Sequence, residues 1–429
     1  MIVEVGLLGC GTVGSGVVEL MNRRQSKIAD MTGLRPVIKK ILVRQVDKPR
    51  PVELAPGLVT DKPAEVLEDP SIRIVIETIG GIEPARTYIL QAIAAGKHVV
   101  TANKDLIAMH GAEILDAAER HGVDVFYEAA VGGAIPLIRP LTEQMTANEI
   151  SDLLGIINGT TNYILTQMTE TGADFADALA EAQRLGYAEA DPSSDVDGLD
   201  AARKLAILAS IAFHARVTLD DVQVAGIRSI SAQDVRFADE LGCVIKLLAT
   251  GSDRAGVLSL HVRPALVSKQ HPLAHVSGPF NALFVRGDAA GDLMFFGRGA
   301  GSLPTASSVM GDVIEVLRVI RLGVSGRVSR MYVPDKRVDP LHRAPARHYL
   351  RLTAADKPGV FAAIASIFGV HNVSMETVLQ KRGQGNAADI VIVTHATEPA
   401  PLANVVRGLR ALPQVEAVHN VMPVVEAPE

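Results

Sequence analysis

The stretch "IVEVGLLGCGTVGSGVVELM" limits what this chain can fold into more than any other. Residues 2 to 8 read as a buried strand, glycines follow at Gly9, Gly11 and Gly14, and apolar residues then recur at helical spacing. The glycines let the backbone turn tightly and approach a pyrophosphate, which rests on free amides at the positive end of the helix dipole. An isolated G-x-G-x-x-G also describes an ordinary glycine turn, so its weight comes from what surrounds it. "VIKKILVR" (37–44), "IRIVIETIGG" (72–81) and "KHVVTANK" (97–104) read as further strands, with "ARTYILQAIAAG" (85–96) and "GAEILDAAERHG" (111–122) as helices. This alternation predicts an α/β domain over residues 1–135, a Rossmann-type doubly wound parallel sheet that binds a dinucleotide.

With 429 residues the chain exceeds one hydrophobic core, and the pattern does change. Over 136–303, "LLGIIN", "GTTNYILTQM", "VLSLHVRPALV" and "NALFVRGDA" predict an α+β domain with a mixed sheet. "FFGRGAGSLPTASSVMGDVIEVLRVI" is a second glycine loop, and its helix within 304–330 is expected to complete the first domain. "VPDKRVDPLHRAPA" (333–346) has three prolines and no periodicity, and reads as a linker. Residues 347–429 follow the order βαββαβ, a ferredoxin-like domain. Few contacts are expected across such a linker, so removing the tail near residue 340 is expected to leave a folded, active protein.

Charge and composition exclude several partners. A net charge of −6 without a long basic run argues against nucleic acid and anionic membranes. No run of about 18 uncharged apolar residues is present, so no membrane span is expected. "MIVEVGLLGCG" lacks a basic leader and already contains Glu4, which does not suit a signal peptide. Two cysteines, Cys10 and Cys243, cannot build a disulfide framework, which fits a reducing, cytoplasmic setting.

Three sets of residues carry the chemistry. Arg44 stands at the end of the second strand, where an NAD-selective fold places an acid; a guanidinium there suits a 2′-phosphate, so NADP is preferred and NAD stays possible. Its separation from the glycines exceeds the usual ~20 residues, and Asp47 lies close. Lys104 ends a predicted strand that points into the crevice where such sheets bind ligands. Asp200 and Lys204, at i and i+4, share a helix face with Ile207, Leu208 and Ile211, so the pair faces packing, where charges are costly unless paired or used. The acids before it could fill a calcium loop from Ser193 through Asp195, Asp197 and Gly198. The twelfth position, which needs a bidentate glutamate, is Lys204, and its charge repels calcium. A substrate ammonium suits these acids better.

At this point several separated motifs resemble the homoserine dehydrogenase family: "GLLGCGTVGSGV", "TANK", "YEAAVGGAIP", "NGTTNYIL", "GYAEADPSSDVDGLDAARKLAILA" and "GRGAGSLPTASSV". The resemblance covers about residues 1–332; through "ADKPGV" and "HNVSMETV" the tail resembles an ACT domain, a small-molecule regulatory module. It implies cofactor contacts by Thr12, Val13, Arg44, Lys104, Gly186 and Gly301 besides the three glycines. Glu189, with Asp195, would receive the substrate amino group, Asp200 would hold its hydroxyl end or position Lys204, and Lys204 would donate the proton, assisted by Lys104. Glu128 and the carbonyls of Val131, Gly133 and Ile135 resemble the family's site for a monovalent cation, Na+ or K+; spacing alone suggests only a glycine turn there. Gly359 and Asn372 would contact an amino-acid effector, threonine, and a homodimer or homotetramer is expected. Two other functions compete. A phosphorylating semialdehyde dehydrogenase needs a thiolate, for which Cys10 in the phosphate loop and Cys243 in an apolar segment are poor candidates. A non-catalytic NADP and amino-acid sensor would not need both lysines and the acids.

Overall fold

The computed structural model describes residues 1–325, 336–339, 345–383 and 385–428. From the start, β1 (Ile2–Leu8) leads through the glycine turn into α1 (Thr12–Thr32), followed by β2 (Arg35–Leu42), β3 (Val59–Thr60), α2 (Ala64–Leu67) and β4 (Ile72–Glu77). Next come α3 (Ala85–Ala94), β5 (His98–Thr101), α4 (Lys104–His121), β6 (Val125–Phe126), β7 (Ile150–Ile156), α5 (Gly159–Thr171), α6 (Phe175–Arg184), α7 (Ser193–Val196) and α8 (Leu199–Ala212). The middle of the chain adds β8 (Gln223–Val224), α9 (Ala232–Glu240), β9 (Cys243–Arg254), β10 (Val257–Ser268), β11 (Phe280–Gly287), β12 (Gly291–Arg298) and α10 (Ser302–Leu322). After β13 (Arg337–Val338), the tail consists of β14 (His348–Ala355), α11 (Val360–Val370), β15 (Met375–Arg382), β16 (Ala387–Thr394), α12 (Pro399–Ala411) and β17 (Val415–Val425).

The chain divides into two compact units. One comprises Met1–Leu153, Arg203–Asp221 and Asn281–Lys336; the other comprises Leu154–Ala202, Val222–Phe280 and Arg337–Glu429. In the first, six parallel strands lie in the order β3-β2-β1-β4-β5-β6, which reverses direction of growth between β1 and β4. That switch point is where open α/β sheets bind ligands, outside the carboxyl ends of the strands. Near-continuous apolar strands such as "IVEVGLL" belong in a sheet covered on both faces, and Val3, Val5 and Leu7 are fully buried with Val309, Val313 and Leu317 of α10 in the same cluster. The same unit holds β12, β11 from Asn281 onward and the first four residues of β7, neighbours in that order.

In the second unit the strand order is β9-β10-β17-β14-β16-β15, with β8 and β13 also on β10. The four tail strands run 4-1-3-2 in their own numbering, as the ferredoxin-like reading requires. Leu350, Leu352, Ile390 and Ile392 point to one face and build a core with Ile364 and Phe368 of α11 and Leu402, Val405 and Leu409 of α12. Among the described residues no helix is long and apolar enough to cross a membrane.

The linker expectation needs correcting. Residues 333–335 and 340–344 lie outside the described residues, but Arg337 and Val338 form a strand on β10, paired with Val257 and Leu258. Nor are contacts with the tail few. Val424 and Val425 of β17 pair with Leu266 and Val267 of β10, so the tail's sheet continues a strand of the preceding segment. Strand alternation turns Tyr349 and Arg351 to the face opposite Leu350, where Arg351 donates Nε and Nη2 to Asp234 of α9 at 2.6 and 3.0 Å. Tyr349 and Asn420 also donate to that carboxylate, and Gln233 donates to Asp389 at 2.5 Å. Asp234 and Arg351 are buried, 0% and 5% exposed. A linker's composition says nothing about what the far face of the next domain will bury.

Candidate active site

At the glycine loop, three glycines serve different ends. Gly9 adopts φ +92°, and a Cβ there would meet Thr78 O at 2.9 Å; a Cβ on Gly14 would meet Gly9 O at 2.4 Å. Around Gly11 the space is open, and Thr12 beyond it is exposed. α1 has no acidic residue in its first turn and no side chain capping it, so its amides and dipole are available to an anion. The second glycine loop reaches the same place: Ser302, the first residue of α10, donates to Thr12 O at 2.7 Å, next to Gly301. Val13 is half-buried beside them, and Arg44 is exposed two residues beyond β2. Arg50, which sequence reasoning overlooked, donates to the carbonyls of Gln45, Val46 and Lys48 and so gives the loop after Arg44 its shape.

Lys104 does not end a strand. β5 stops at Thr101, and Lys104 is the first residue of α4, capped by Asn103, whose side chain accepts from Leu106 N. A cation at a helix N-terminus opposes the dipole, so the position is a poor choice for stability alone. Glu77, the acid that ends the apolar run of β4, is fully buried. Its Oε1 accepts the amides of Ile79 and Gly80 at 2.7 and 3.0 Å, and its Oε2 accepts Thr101 Oγ1 at 2.5 Å. It thereby fixes the two strand ends from which Lys104 is presented. Lys204 on α8 lies in the same unit, and the elements are tied: Arg203 Nε is 3.2 Å from Asp105 Oδ1, so the neighbours of the two lysines form an ion pair. Both lysines are half-buried.

The five acids of "AEADPSSDVDGLD" separate by role. Asp191 accepts the amide of Ser193 at 3.1 Å in an ordinary turn, and Ser193, by its hydroxyl first and its amide second, holds the carboxyl below the usual range. Asp197 is gripped by both branches of Arg228, at 2.5 and 3.0 Å, and is lowered by it. That occupies one ligand of the calcium alternative. Asp195 and Asp200 instead meet at one donor: Asn158 Nδ2 lies 2.7 Å from Asp195 Oδ1 and 2.9 Å from Asp200 Oδ2. Asn158 is 5% exposed, and its own Oδ1, accepting Thr161 N as the cap of α5, turns the amide toward the acids. Asp200 is buried and stands one turn before Lys204 on α8. Glu189 and Gly186 are exposed in the loop after α6, where Gln183 donates to Glu189 O at 3.0 Å. The capping signal of Asn158 is visible in "NGTT"; its reach across some forty residues to the acids is not.

The loop at Glu128 is tightly built. Glu128 is buried, and its Oε1 accepts the amides of Leu137 and Ile138 at 2.6 and 2.7 Å while Oε2 accepts Arg139 N at 2.8 Å. Three of a carboxylate's roughly four acceptor positions are thus taken. Between them the chain passes Val131, Gly133 and Ile135. Gly133, at φ +56°, packs backbone to backbone on Gly299, whose carbonyl would lie 2.4 Å from a Cβ. Asp312 of α10 accepts Glu128 N and Arg139 Nη2, at 2.9 and 2.8 Å. Burial, reinforced by repulsion from Glu128, pushes the Asp312 carboxyl up to about 8 against the pull of Arg139.

Neither cysteine is suited to nucleophilic work. Both are buried, and burial raises the Cys243 thiol, the wrong direction for a thiolate. In the tail, Gly359 caps α11 at φ +88°, with open space around a Cβ. Asn372 lies beyond the other end of that helix, about 16 Å away at 1.5 Å per residue. The structure does not bring these two effector candidates together within one chain.

Comparison with known proteins agrees along the whole chain. Residues 9–128 match the family model of the homoserine dehydrogenase NAD binding domain, 136–314 that of homoserine dehydrogenase, and 348–414 that of the ACT domain. A homoserine dehydrogenase of Synechocystis sp. is 47% identical over 434 residues, covering 99% of each chain. The crystal structure of a homoserine dehydrogenase from Thiobacillus denitrificans superposes with a TM-score of 0.94 at 42% identity, covering 99% of each chain. A hyperthermophilic archaeal homoserine dehydrogenase in complex with NADPH, 26% identical, gives a TM-score of 0.61 over 74% of this chain and 98% of its own. Fold, loops and matches define an NAD(P)-dependent oxidoreductase acting on a CH–OH group and carrying a C-terminal ACT domain. The chain belongs to the homoserine dehydrogenase family.

Proposed function

We propose that this chain reduces L-aspartate 4-semialdehyde to L-homoserine reversibly, in the cytoplasm, as a step in threonine, methionine and isoleucine biosynthesis, and that it prefers NADP. The observation that carries the site reading is the sorting of the acids: two are committed locally, while Asn158 gathers Asp195 and Asp200 at the start of the helix bearing Lys204. The glycine loop and both helix starts suit a pyrophosphate, and Arg44 suits a 2′-phosphate; the NADPH complex of the archaeal relative supports that choice. The nicotinamide supplies a hydride when bound. Lys204 protonates the oxygen that becomes the alcohol, a role typically contributing about 10²–10⁴-fold, and Lys104 assists. Asp200 holds the substrate hydroxyl end or positions Lys204, and Glu189 and Asp195 receive the ammonium.

A monovalent cation, Na+ or K+, belongs at Glu128 with the carbonyls of Val131, Gly133 and Ile135. Three backbone amides take most of the Glu128 carboxylate and leave about one acceptor position, which with the three carbonyl oxygens makes an all-oxygen donor set that suits such an ion. The functional domains divide at 135 and at 303, with the ACT domain from 347, and α10 (Ser302–Leu322) completes the first. Threonine binds the ACT domain with its carboxylate at the amides after Gly359. Since Asn372 stands at the far end of α11, a single effector touching both takes Asn372 from a second copy, which suits a homodimer or homotetramer.

The test is aldehyde-dependent oxidation of NADPH by the full chain, with and without threonine. Lys204→Ala should lower turnover by at least about a hundredfold with NADPH binding intact, and Gly359→Asp should abolish inhibition by threonine without lowering uninhibited turnover. No turnover by the unaltered chain in either direction would favour the sensor, whereas reduction of NADP+ by the same aldehyde that requires inorganic phosphate would favour the phosphorylating enzyme. Near-normal turnover in Lys204→Ala would remove that lysine as the acid.

A further inference from the structure

A cleft of about 500 Å³ opens in the second unit, and neither Gly359 nor any residue of α11 lines it. Its lining comes from four elements: Arg263 on β10, His348 at the start of β14, Arg407 and Arg410 on α12, and Val421 on β17, with an apolar part that includes Leu402 and Val406 of α12. No acidic side chain is among the described residues that line it. In a chain of net charge −6, three guanidiniums and an imidazole around one cleft are a marked local excess. Arg407 and Arg410 are neighbours at i, i+3, where like charges repel. Helix-dipole stabilisation accounts for Arg410, which sits in the last turn, but not for Arg407. His348 is buried, and its Nδ1 lies 2.9 Å from Ala346 O, which fixes the ring.

We infer that this cleft binds a small multivalent anion, a phosphate ester or polycarboxylate with a short apolar body, as a second ligand of the regulatory half of the chain. Guanidinium forks match phosphate and carboxylate oxygens in pairs, clefts lined by one sign of charge concentrate the opposite one, and the apolar part receives carbon. An amino acid fits poorly: its ammonium would face three guanidiniums with no carboxylate in the described lining. The site is therefore separate from any amino-acid effector at Gly359.

The experiment is calorimetric titration of the full chain at constant ionic strength, with NADPH saturating so that the glycine loop cannot take up the probe. Pyrophosphate and citrate are the probes, one for each chemistry. Saturable binding of either is expected, weakened about tenfold or more in Arg407→Glu/Arg410→Glu, two exposed positions where a fold defect is not expected; the half-buried Arg263→Gln is the second variant. NADPH affinity should not change in any of them, which separates this site from the catalytic reading. Failure of both probes to saturate overturns the inference. So does saturable binding equal in the unaltered chain and both variants.

Discussion

Replacing Arg351 with methionine should loosen the ACT domain from α9 by about 3 kcal/mol. Breaking a buried ion pair by deleting one partner costs about 3–5 kcal/mol, because the other charge stays buried without compensation. Here the lower end applies, since Asp234 would keep the amide and hydroxyl of Ser231, the Tyr349 hydroxyl and the Asn420 amide. Asp234→Leu should cost more, because Arg351 would keep only the neutral acceptors Gln233 and Ser231. The pair Asp234→Leu/Arg351→Met should recover much of the loss, as buried pairs exchanged for apolar groups usually do. Amide hydrogen exchange read on β14, β17 and α9 is the assay: about 3 kcal/mol corresponds to exchange roughly a hundredfold faster in Arg351→Met. Burial works to raise the Asp234 carboxyl, but Arg351 and Ser231 outweigh it and hold it below the usual range. The contribution is therefore complete above the unfolded carboxylate value of about 3.9 and is lost as pH falls through the lower folded value. In Arg351→Met that loss should begin at higher pH. Removing the tail near residue 340 deletes the same partners, so truncation should disturb α9 rather than leave the rest untouched. A change in exchange below threefold, or a double variant no better than the singles, would refute the account.

Three further outcomes are expected. Arg44→Ala should weaken NADPH about tenfold to a hundredfold, the value of a charge-assisted bond, and leave NADH nearly unaffected; equal losses in both cofactors by fluorescence titration count against the assignment. Asn158→Asp keeps the cap of α5 but sets a third carboxylate against Asp195 and Asp200, so kcat/KM for the aldehyde should fall at least tenfold to a hundredfold, with thermal stability lowered too because the added charge is buried among like charges; activity within threefold would show that the bridge does not position the acids. Burial depresses the Lys246 ammonium to about 8, although it donates to Asn162 Oδ1 and Val276 O. Its cost is thus present below about pH 8 and lifts as pH rises toward 10.5, and urea midpoints measured from pH 7 to 10 should rise less in Lys246→Met than in the unaltered chain.

Local patterns in the sequence carried the architecture because each element satisfies its own requirements nearby. "GLLGCGTVG" is strand, turn and helix start within one stretch, and the βαββαβ order of the tail needs only its own alternating residues to build a core. What stayed hidden depends on partners far away in sequence. Lys104 reads as the end of a strand because "KHVV" is apolar and extended, yet Asn103 caps a helix, and a cap signal of one residue is easily outweighed by a run of four. Arg351 alternates correctly with Leu350 and Leu352, so it reads as the exposed face of a half-buried strand; only the fold shows Asp234 waiting on that face. The acids illustrate the same division. Their density in "AEADPSSDVDGLD" signals a site, but which of them serve it depends on Arg228 claiming Asp197 and on Asn158 holding Asp195 and Asp200. Which carboxylates a shared buried donor draws together is a property of the folded chain. It also explains why Glu77, an acid within an apolar run, deserved reading as a fixed internal support: a strand that buries both faces tolerates a charge only where its donors are already arranged.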